Sequence, residues 1–244
     1  MLQRQREAAA KRVPYHESRA WVPYGSISPH LRRAVLIAED DAFFSHDGLD
    51  WNEIRASARK DLQTMRLARG GSTITQQLAK NLWLGTARTP LRKIEEMMLA
   101  VRLERALGKR RIFELYLNVI EWGDGVYGCE AAARHWFGTS AAALDARQSV
   151  RLAAVIINPR RFSPVEPPRR IERRIRMIAT RMRRRGDLSE ESWRAVLGLP
   201  SLADTLAAAP VPSSPDTGLG AAPPPEGPGS PSVEPVPPDS VPGR

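Results

Sequence analysis

The sequence predicts a mainly α-helical domain followed by a disordered, proline-rich tail. Apolar residues recur at the three- and four-residue spacing of amphipathic helices, and several of these segments open on a capping residue or a proline. Strand signals are few. Residues 210–244 hold 12 of the 21 prolines and almost no large apolar residues. Such a segment cannot bury enough surface to offset the entropy of ordering, and we expect it to be disordered.

Start and stop signals place the helices in chain order. Ser28-Pro29 opens the first, which runs to an acidic cluster at 39–41, and Thr73 to Gln76 form a capping box that opens another. The other predicted helices cover residues 51–68, 89–107, 109–118, 130–136, 144–157 and 169–184. The glycine-rich stretch 122–128 fits a dinucleotide-binding pattern but follows a helix instead of a strand, so we interpret it as a turn between helices.

The predicted organisation is an N-terminal arm (1–25), one folded domain (26–200) and the disordered tail (205–244). One domain of this size excludes a large multidomain enzyme. The chain carries a net charge of +10, and because the tail contributes −3, residues 1–209 carry +13. This excess suggests an anionic partner: nucleic acid, an anionic membrane surface or a phosphorylated substrate.

Cysteine content and hydropathy exclude further classes. The single cysteine, Cys129, rules out an intramolecular disulfide framework and a zinc site built from cysteines. No apolar run approaches the ~18 residues of a membrane-spanning helix. The first residues lack the apolar middle of a signal peptide. The chain is therefore expected to be soluble or peripheral to a membrane.

The first candidate site is the acidic cluster with a histidine beyond it. Glu39 lies at the C-terminal end of an apolar helix, where the helix dipole and its acidic neighbours are expected to raise its pKa. A carboxylate tuned in this way can act as a general base. A solvated acidic helix end explains the pattern equally well, and a metal site formed by Glu39, Asp41 and His46 is a weaker third interpretation.

Two further segments could bind anions. Residues 69–81 place glycines and hydroxyls before a helix N-terminus, where free N–H groups can face a phosphate or a sugar, and Lys80 lies four residues after Gln76. Farther along, Arg92 and Lys93 share a helical face with Glu96, which could hold a pyrophosphate. Each segment taken alone is more simply an ordinary capped helix or a surface salt-bridge face.

Together these segments resemble the glycosyltransferase domain that polymerises peptidoglycan, found in monofunctional transglycosylases and in class A penicillin-binding proteins. The pattern E-D-x-x-F-x-x-H-x-G is matched at 39–48, G-x-S-T-I-T-Q-Q at 70–77 and R-K-x-x-E at 92–96. Two longer motifs are similar to residues 109–138 and 152–164. The resemblance covers roughly residues 26–185 in order, and five motifs in register are far more specific than any one of them.

The resemblance implies a lysozyme-like, two-lobed helical domain, with residues of about 49–69 as a membrane-facing jaw. The implied reaction joins lipid II units through β-1,4 links with inversion and releases undecaprenyl pyrophosphate. Glu39 would be the general base for the acceptor's 4-hydroxyl, and Glu96 a second essential carboxylate near the donor pyrophosphate. Substrate binding is assigned to Ser72, Thr73, Gln76, Gln77, Lys80, Arg88, Arg92 and Lys93, and to Asp40, Phe43 and His46, which would shape the cleft.

The resemblance also implies partners and a location. Lipid II, the growing glycan chain, a membrane surface and cell-wall synthesis proteins are the expected partners, and nucleic acid is not one. No tightly bound cofactor is expected. The resemblance leaves open whether a divalent cation, Mg²⁺ or Mn²⁺, binds at the donor pyrophosphate. Members act at the periplasmic face of the bacterial inner membrane and usually carry an N-terminal anchor, for which this sequence has no candidate. No Ser-x-x-Lys pattern follows residue 140, so no transpeptidase module is expected.

Two alternatives compete with this function. A lysozyme-like muramidase would use Glu39 as a general acid, although the cations at 80–93 speak against a site without a diphosphate. A basic nucleic-acid-binding protein would explain the net charge and the arginine-rich helix 169–184. That helix also suits attachment to anionic lipid, or packing by its Ile/Met stripe with the arginines in solvent.

Overall fold

The structure is a computed structural model that describes residues 9–10, 12, 15–49, 72–84 and 89–207. Contacts divide the chain into two units, 1–207 and 208–244, and the second lies outside the described residues. Also outside them are the helix predicted over 51–68, residues 50–69 of the predicted jaw, and Arg88. The predictions made for these segments therefore stay predictions.

Helices dominate the described residues, which confirms the predicted fold class. They are α1 (Pro29–Glu39), α2 (Ile74–Trp83), α3 (Pro90–Ala106), α4 (Lys109–Val119), α5 (Cys129–Phe137), α6 (Ala146–Val155), α7 (Arg169–Arg184), α8 (Glu190–Leu197) and α9 (Leu202–Ala207). The sequence did not predict α8, and α9 places residues 205–207 in a helix instead of the disordered tail. Within these ranges, no helix combines the length and apolarity needed to cross a bilayer.

Helix α1 lies at the centre of the core. It packs against α6 and α7, while α2 packs against α3 and α4. Its apolar residues Leu31, Ala34 and Val35 are fully buried. The predicted stripe on α7 is buried as well, from Ile171 to Met182, so this helix docks on the domain by its apolar face. Because α1 and α7 are in contact, an arginine of α7 can reach the end of α1.

A small sheet replaces the turn predicted over residues 122–128. Strands β2 (Glu121–Gly123) and β3 (Val126–Tyr127) form an antiparallel hairpin, and β1 (Ser18–Arg19) pairs with β3 in parallel. Gly125 has φ +73°, and a Cβ there would lie 2.2 Å from the His16 carbonyl oxygen. The glycine is therefore required by the close approach of the N-terminal segment, and no nucleotide is needed to explain it.

The N-terminal segment belongs to the folded domain. The side chain of the buried Asn118 accepts a hydrogen bond from the Val22 N–H (3.0 Å) and donates to the Val22 carbonyl (2.9 Å). The Tyr15 hydroxyl donates to that of Tyr127 at 3.1 Å. The boundary predicted at residue 26 is therefore too late, because residues 15–25 are held by β3 and α4.

We predict that Asn118→Ala weakens the domain. The substitution leaves both backbone polar groups of the half-buried Val22 without their partner, which costs about 1–3 kcal/mol of unfolding free energy. Urea unfolding followed by circular dichroism measures the change. Asn81→Ala, at an exposed position of α2, is the control and should stay within about 0.5 kcal/mol of wild type. Equal midpoints for the two variants would contradict the role of Asn118.

Candidate active site

A buried aspartate joins the end of α1 to the start of α2. The Asp40 carboxylate accepts a hydrogen bond from the backbone N–H of Ile74, the first residue of α2, at 2.9 Å. The same carboxylate lies 3.0 Å from Nε2 of His46. The ring of the fully buried Phe43 packs edge-on against His46. These residues therefore fix the position of the start of α2 relative to the end of α1.

The N-terminus of α2 is already occupied by the protein's own side chains. Thr73 Oγ1 accepts from the N–H of Gln76 at 3.2 Å, and Gln76 Oε1 accepts from the N–H of Thr73 at 2.9 Å. This is the predicted capping box. With Asp40 on the next N–H group, the helix start has little left for a phosphate. Within the predicted anion site, the N–H groups of residues 73, 74 and 76 are therefore bound by side chains of the protein, while residues 69–71 lie outside the described residues.

Glu39 is held at both carboxylate oxygens. Oε1 accepts from Nη2 of Arg174 at 2.6 Å, and Oε2 accepts from Nε2 of Gln77 at 3.0 Å. The side chain keeps only 12% of its surface exposed. Each oxygen retains one further lone pair, so the carboxylate can still accept a proton from a substrate.

The Glu39 pKa is raised above its ordinary value, as the sequence predicts, but for a different reason. Loss of water on burial is the largest cause, and it is opposed by the charge of Arg174, the hydrogen bond from Gln77 and the charge of Lys80. The acidic neighbours invoked from the sequence point elsewhere: Asp40 faces His46, and Asp41 pairs with Arg185. The pKa of Glu39 is therefore set by two opposing effects: burial raises it, and pairing with cations and with Gln77 lowers it.

Gln77 is oriented from behind by a tyrosine. Tyr116, fully buried on α4, donates its hydroxyl hydrogen to Gln77 Oε1 at 3.0 Å. An amide whose oxygen accepts this bond must present its N–H₂ group on the other side, where Glu39 lies. Burial, and next the negative charge of Glu39, hold the Tyr116 pKa well above its usual range. Tyr116 therefore stays protonated and acts as a donor.

The second acidic centre lies on α3. Glu96 keeps 3% of its side-chain surface exposed; its Oε1 accepts from Lys93, and its Oε2 accepts from Arg92 at 3.2 Å. The ammonium of Lys93 also donates to Ser72 Oγ at 2.8 Å. The predicted shared face is confirmed, but because Glu96 is buried it is not the exposed ion pair of the simpler interpretation. Lys93 joins the segment before α2 to α3.

Lys80 connects the two acidic centres electrostatically. Although it lies at the surface, the surrounding protein removes part of its water, which is the largest cause of its lowered pKa. The charge of Glu96 raises that pKa, Arg92 and Lys93 lower it, and Glu39 raises it. The pKa of Lys80 therefore responds to the charges of both glutamates and of both cations.

The predicted site residues separate into two groups. One group surrounds the two glutamates and includes Ser72, Gln77, Lys80, Arg92 and Lys93. The other is buried and engaged with its own neighbours, which favours a supporting position over direct contact with a substrate: Asp40, Phe43, His46, Thr73 and Gln76. The alternative metal site is wrong, since its members Asp41 and His46 have separate partners. Gln76 is buried whereas Lys80 is exposed, so the two side chains do not form one binding surface.

Sequence reasoning missed two contributors to the site. Arg174 is one arginine among many on a basic helix, and Tyr116 is one aromatic residue on the apolar side of an amphipathic helix. One signal was available for Arg174: it lies beside Ile175 and three residues after Ile171, at the edge of the stripe that docks α7. A cation at that edge reaches a neighbouring helix more readily than one on the outer face.

The geometry defines a class of protein: a helical domain in which two buried carboxylates, Glu39 and Glu96, are each paired with cationic side chains. A family profile described as Transglycosylase matches residues 6–183. Proteins called biosynthetic peptidoglycan transglycosylase are similar to this chain. The one from Methylobacillus flagellatus is 53% identical over 67% of this chain and 71% of its own length. The one from Laribacter hongkongensis is 51% identical over 66% of this chain and 71% of its own length.

The chain belongs to the transglycosylase family. A third relative, from Aromatoleum aromaticum, supports the wider match, with 46% identity over 72% of this chain and 76% of its own length. The profile begins at residue 6, well before the start at residue 26 that the motifs suggested. This difference agrees with the fold, in which residues 15–25 are part of the domain.

We predict that Asp40→Ala destabilises the domain far more than Asp41→Ala. Removing the Asp40 carboxylate leaves the Ile74 N–H and His46 without their partner inside the protein, which costs about 2–4 kcal/mol. The partly exposed pair of Asp41 and Arg185 should contribute at most about 1 kcal/mol. Urea unfolding of the two variants gives the comparison, and similar losses in both would show that Asp40 is not the tie between α1 and α2.

Proposed function

We propose that this chain polymerises peptidoglycan glycan strands from lipid II and takes part in cell-wall synthesis. One arrangement carries the proposal: Gln77 contacts both the buried carboxylate of Glu39 and Ser72, and Ser72 is also bound by Lys93, which with Arg92 pairs with the second buried carboxylate, Glu96. A base and an anion-binding surface side by side are what a transfer to a hydroxyl needs when the leaving group is a diphosphate. The names of the relatives support the substrate class.

Glu39 is the proposed general base. Its free lone pair takes the proton of the acceptor's 4-hydroxyl while that oxygen attacks the anomeric carbon of the donor. The bond between this carbon and the phosphate oxygen breaks, and the diphosphate leaves with the electron pair. Attack opposite the leaving group inverts the linkage to β-1,4. The proton on Glu39 then returns to solvent before the next cycle.

The cations of α2 and α3 are proposed to stabilise the leaving group. Negative charge grows on the diphosphate as the bond breaks, and the fixed charges of Lys80, Arg92 and Lys93 lower the energy of that state. We propose that Glu96 orients Arg92 and Lys93, because it pairs with both and is itself buried. Arg88, which lies outside the described residues, stays a candidate for the same anion.

The donor set fits an anion site better than a metal site. The Glu96 oxygens already accept from Lys93 and Arg92. In the part of the chain that the structure describes, no three histidine, cysteine, aspartate or glutamate side chains are grouped so as to hold a metal ion. We therefore assign charge neutralisation at the diphosphate to the three cations.

A membrane surface is the proposed partner beside this site. Leu91, Ile94 and Met98 of α3 are each more than half exposed, as is Trp83 at the end of α2. Positions 91, 94 and 98 lie on one face of the helix, on the side away from Arg92, Lys93 and Glu96. An exposed apolar helix face suits contact with the acyl chains of a lipid. We infer action at the periplasmic face of the inner membrane.

A muramidase is the weaker candidate. The raised pKa of Glu39 suits a general acid as well as a general base, so the cations decide between the two functions. A hydrolase has no use for the cations around Glu96, since no diphosphate leaves. Incubating the protein with finished glycan strands checks this alternative, because release of new reducing ends would favour hydrolysis.

We predict that Glu39→Gln lowers polymerisation of lipid II at least ~100-fold, the usual contribution of a general base. Glutamine keeps the shape and the bond to Arg174 but cannot take a proton, so the fold should persist. Glycan ladders in detergent measure the activity, and thermal unfolding checks the fold. An active Glu39→Gln variant would contradict the assignment.

The pH profile of the wild type provides a second check on the base. The Glu39 pKa is raised in the folded protein above its ordinary 4.5, so the base is ionised above the raised pKa and lost as the pH falls through it. We predict that kcat/KM declines on the acid side with an apparent pKa above 4.5. The residual activity of Glu39→Gln should lack this limb, and a profile shared by both proteins would point to another base.

We predict that Glu96→Gln lowers kcat/KM by about 10–100-fold, because the cations lose the carboxylate that orients them. Glu95→Gln is the matched control: it lies next in sequence on α3, is exposed, and removes the same charge. It should act like wild type. Equal losses in the two variants would mean that the net charge of α3 matters and the position of Glu96 does not.

A further inference from the structure

Arg174 contacts Glu39 from a different part of the chain. It lies in the middle of α7, 135 residues after the glutamate, and its Nη2 donates both to Glu39 Oε1 (2.6 Å) and to the backbone carbonyl of Ala38 (3.0 Å). The side chain keeps 20% of its surface exposed, whereas most arginines of α7 are exposed. One nitrogen thus joins the carboxylate to the backbone of the helix that carries it.

A purely structural ion pair explains this contact poorly. Nε of Arg174 is buried and has no hydrogen-bond partner among the described residues. A buried guanidinium with an unsatisfied N–H costs free energy, and apolar residues often replace such pairs without loss of stability. The apolar stripe of α7, from Ile171 to Met182, already docks this helix. The arrangement is better explained by its effect on the carboxylate.

Without Arg174 the carboxylate has two ways to relieve its burial. It can take up a proton, because loss of water is the dominant influence on its pKa and Arg174 is the largest opposing one. It can also turn toward Lys80, the next cation that lowers its pKa. Either outcome removes the base: a protonated carboxyl accepts no proton, and a carboxylate bound to Lys80 occupies the cation meant for the diphosphate.

We propose that Arg174 is a positioning residue that acts through Glu39, keeping the base ionised, aimed at the acceptor hydroxyl and separate from Lys80. The proposal rests on the proposed function, since it assigns a role within that reaction. Its anchor on the Ala38 carbonyl ties the guanidinium to α1, so the pair keeps its direction. Gln77, fixed by Tyr116, holds the other oxygen.

The groups around Glu39 give the sign of the expected pH effect. Arg174 reaches it from α7, Lys80 and Gln77 from α2, and Tyr116 lies behind Gln77 on α4. Asp40, its neighbour in sequence, faces His46. Removing the charge of Arg174 takes away the largest influence that favours the ionised carboxylate, so the acid limb of activity should move to higher pH.

The test compares Arg174→Gln and Arg174→Lys with wild type, using lipid II polymerisation as a function of pH in detergent. Arg174→Gln should lose at least about tenfold in kcat/KM at about pH 6 and recover part of it at about pH 8.5, because more Glu39 is then ionised. Arg174→Lys keeps the charge, but its shorter side chain places the ammonium differently against Glu39 and the Ala38 carbonyl. It should keep the wild-type acid limb and lose activity by a pH-independent factor.

Arg147→Gln is the matched control for charge. Arg147 is exposed near the start of α6, and the residues just before α6 contact Ser28 at the opposite end of α1 from Glu39. An 11-residue helix separates the two ends by about 16 Å. This variant removes the same charge as Arg174→Gln and should keep both the activity and the pH profile.

The outcomes separate this inference from the proposed function. An inactive wild type would end the proposed function itself. An active wild type with an inactive Glu39→Gln, beside an Arg174→Gln variant whose profile equals wild type, would overturn the positioning role alone. A rise in KM with no move of the acid limb would show that Arg174 binds substrate instead. If Arg174→Gln unfolds, Arg174→Lys decides, because a lysine variant with full activity would contradict the bridging geometry.

Discussion

The carboxylate of Asp40 is the constraint on which the site depends. It accepts a hydrogen bond from the first N–H of α2 and lies within hydrogen-bond distance of the His46 ring. These contacts fix where α2 starts relative to the end of α1. Gln77 follows three residues after Ile74, about one helical turn, and Lys80 three after that. The hydrogen bond between Asp40 and Ile74 thus places both residues on the side of α2 that is close to Glu39. Adjacent acids therefore have different tasks: Asp40 orients the helix, and Glu39 is the proposed base.

Burial and pairing act against each other throughout the site. Loss of water raises the pKa of Glu39 and lowers that of Lys80, while opposite charges return part of each shift. A carboxylate whose pKa is raised but which can still ionise is suited to act as a general base. An ammonium beside a leaving diphosphate is suited to stabilise its growing negative charge. Arg174 is central to this balance, because it is the strongest of the influences that keep Glu39 charged.

The features that the sequence predicted well are local ones. The capping box at Thr73, the proline start at Pro90 and the bounds of α7 depend on residues within a turn or two of each other, so chain order reveals them. The hairpin at 121–127 escaped prediction because its strands span two or three residues, too few to show a period of two. Its partner β1 lies about 100 residues away, and no local pattern announces that pairing.

Patterns within the sequence were enough to predict most of the helices, the order of the motifs and the two glutamates with their cations. Which of these residues face one another depends on how the helices pack. Gln76 caps its own helix while Gln77 reaches Glu39, although they are adjacent and identical in type. One arginine of α7 pairs with Glu39, and its partner is set by the packing of α7 on α1. Contacts between distant segments depend on how helices dock, which the spacing of residues within one helix does not encode.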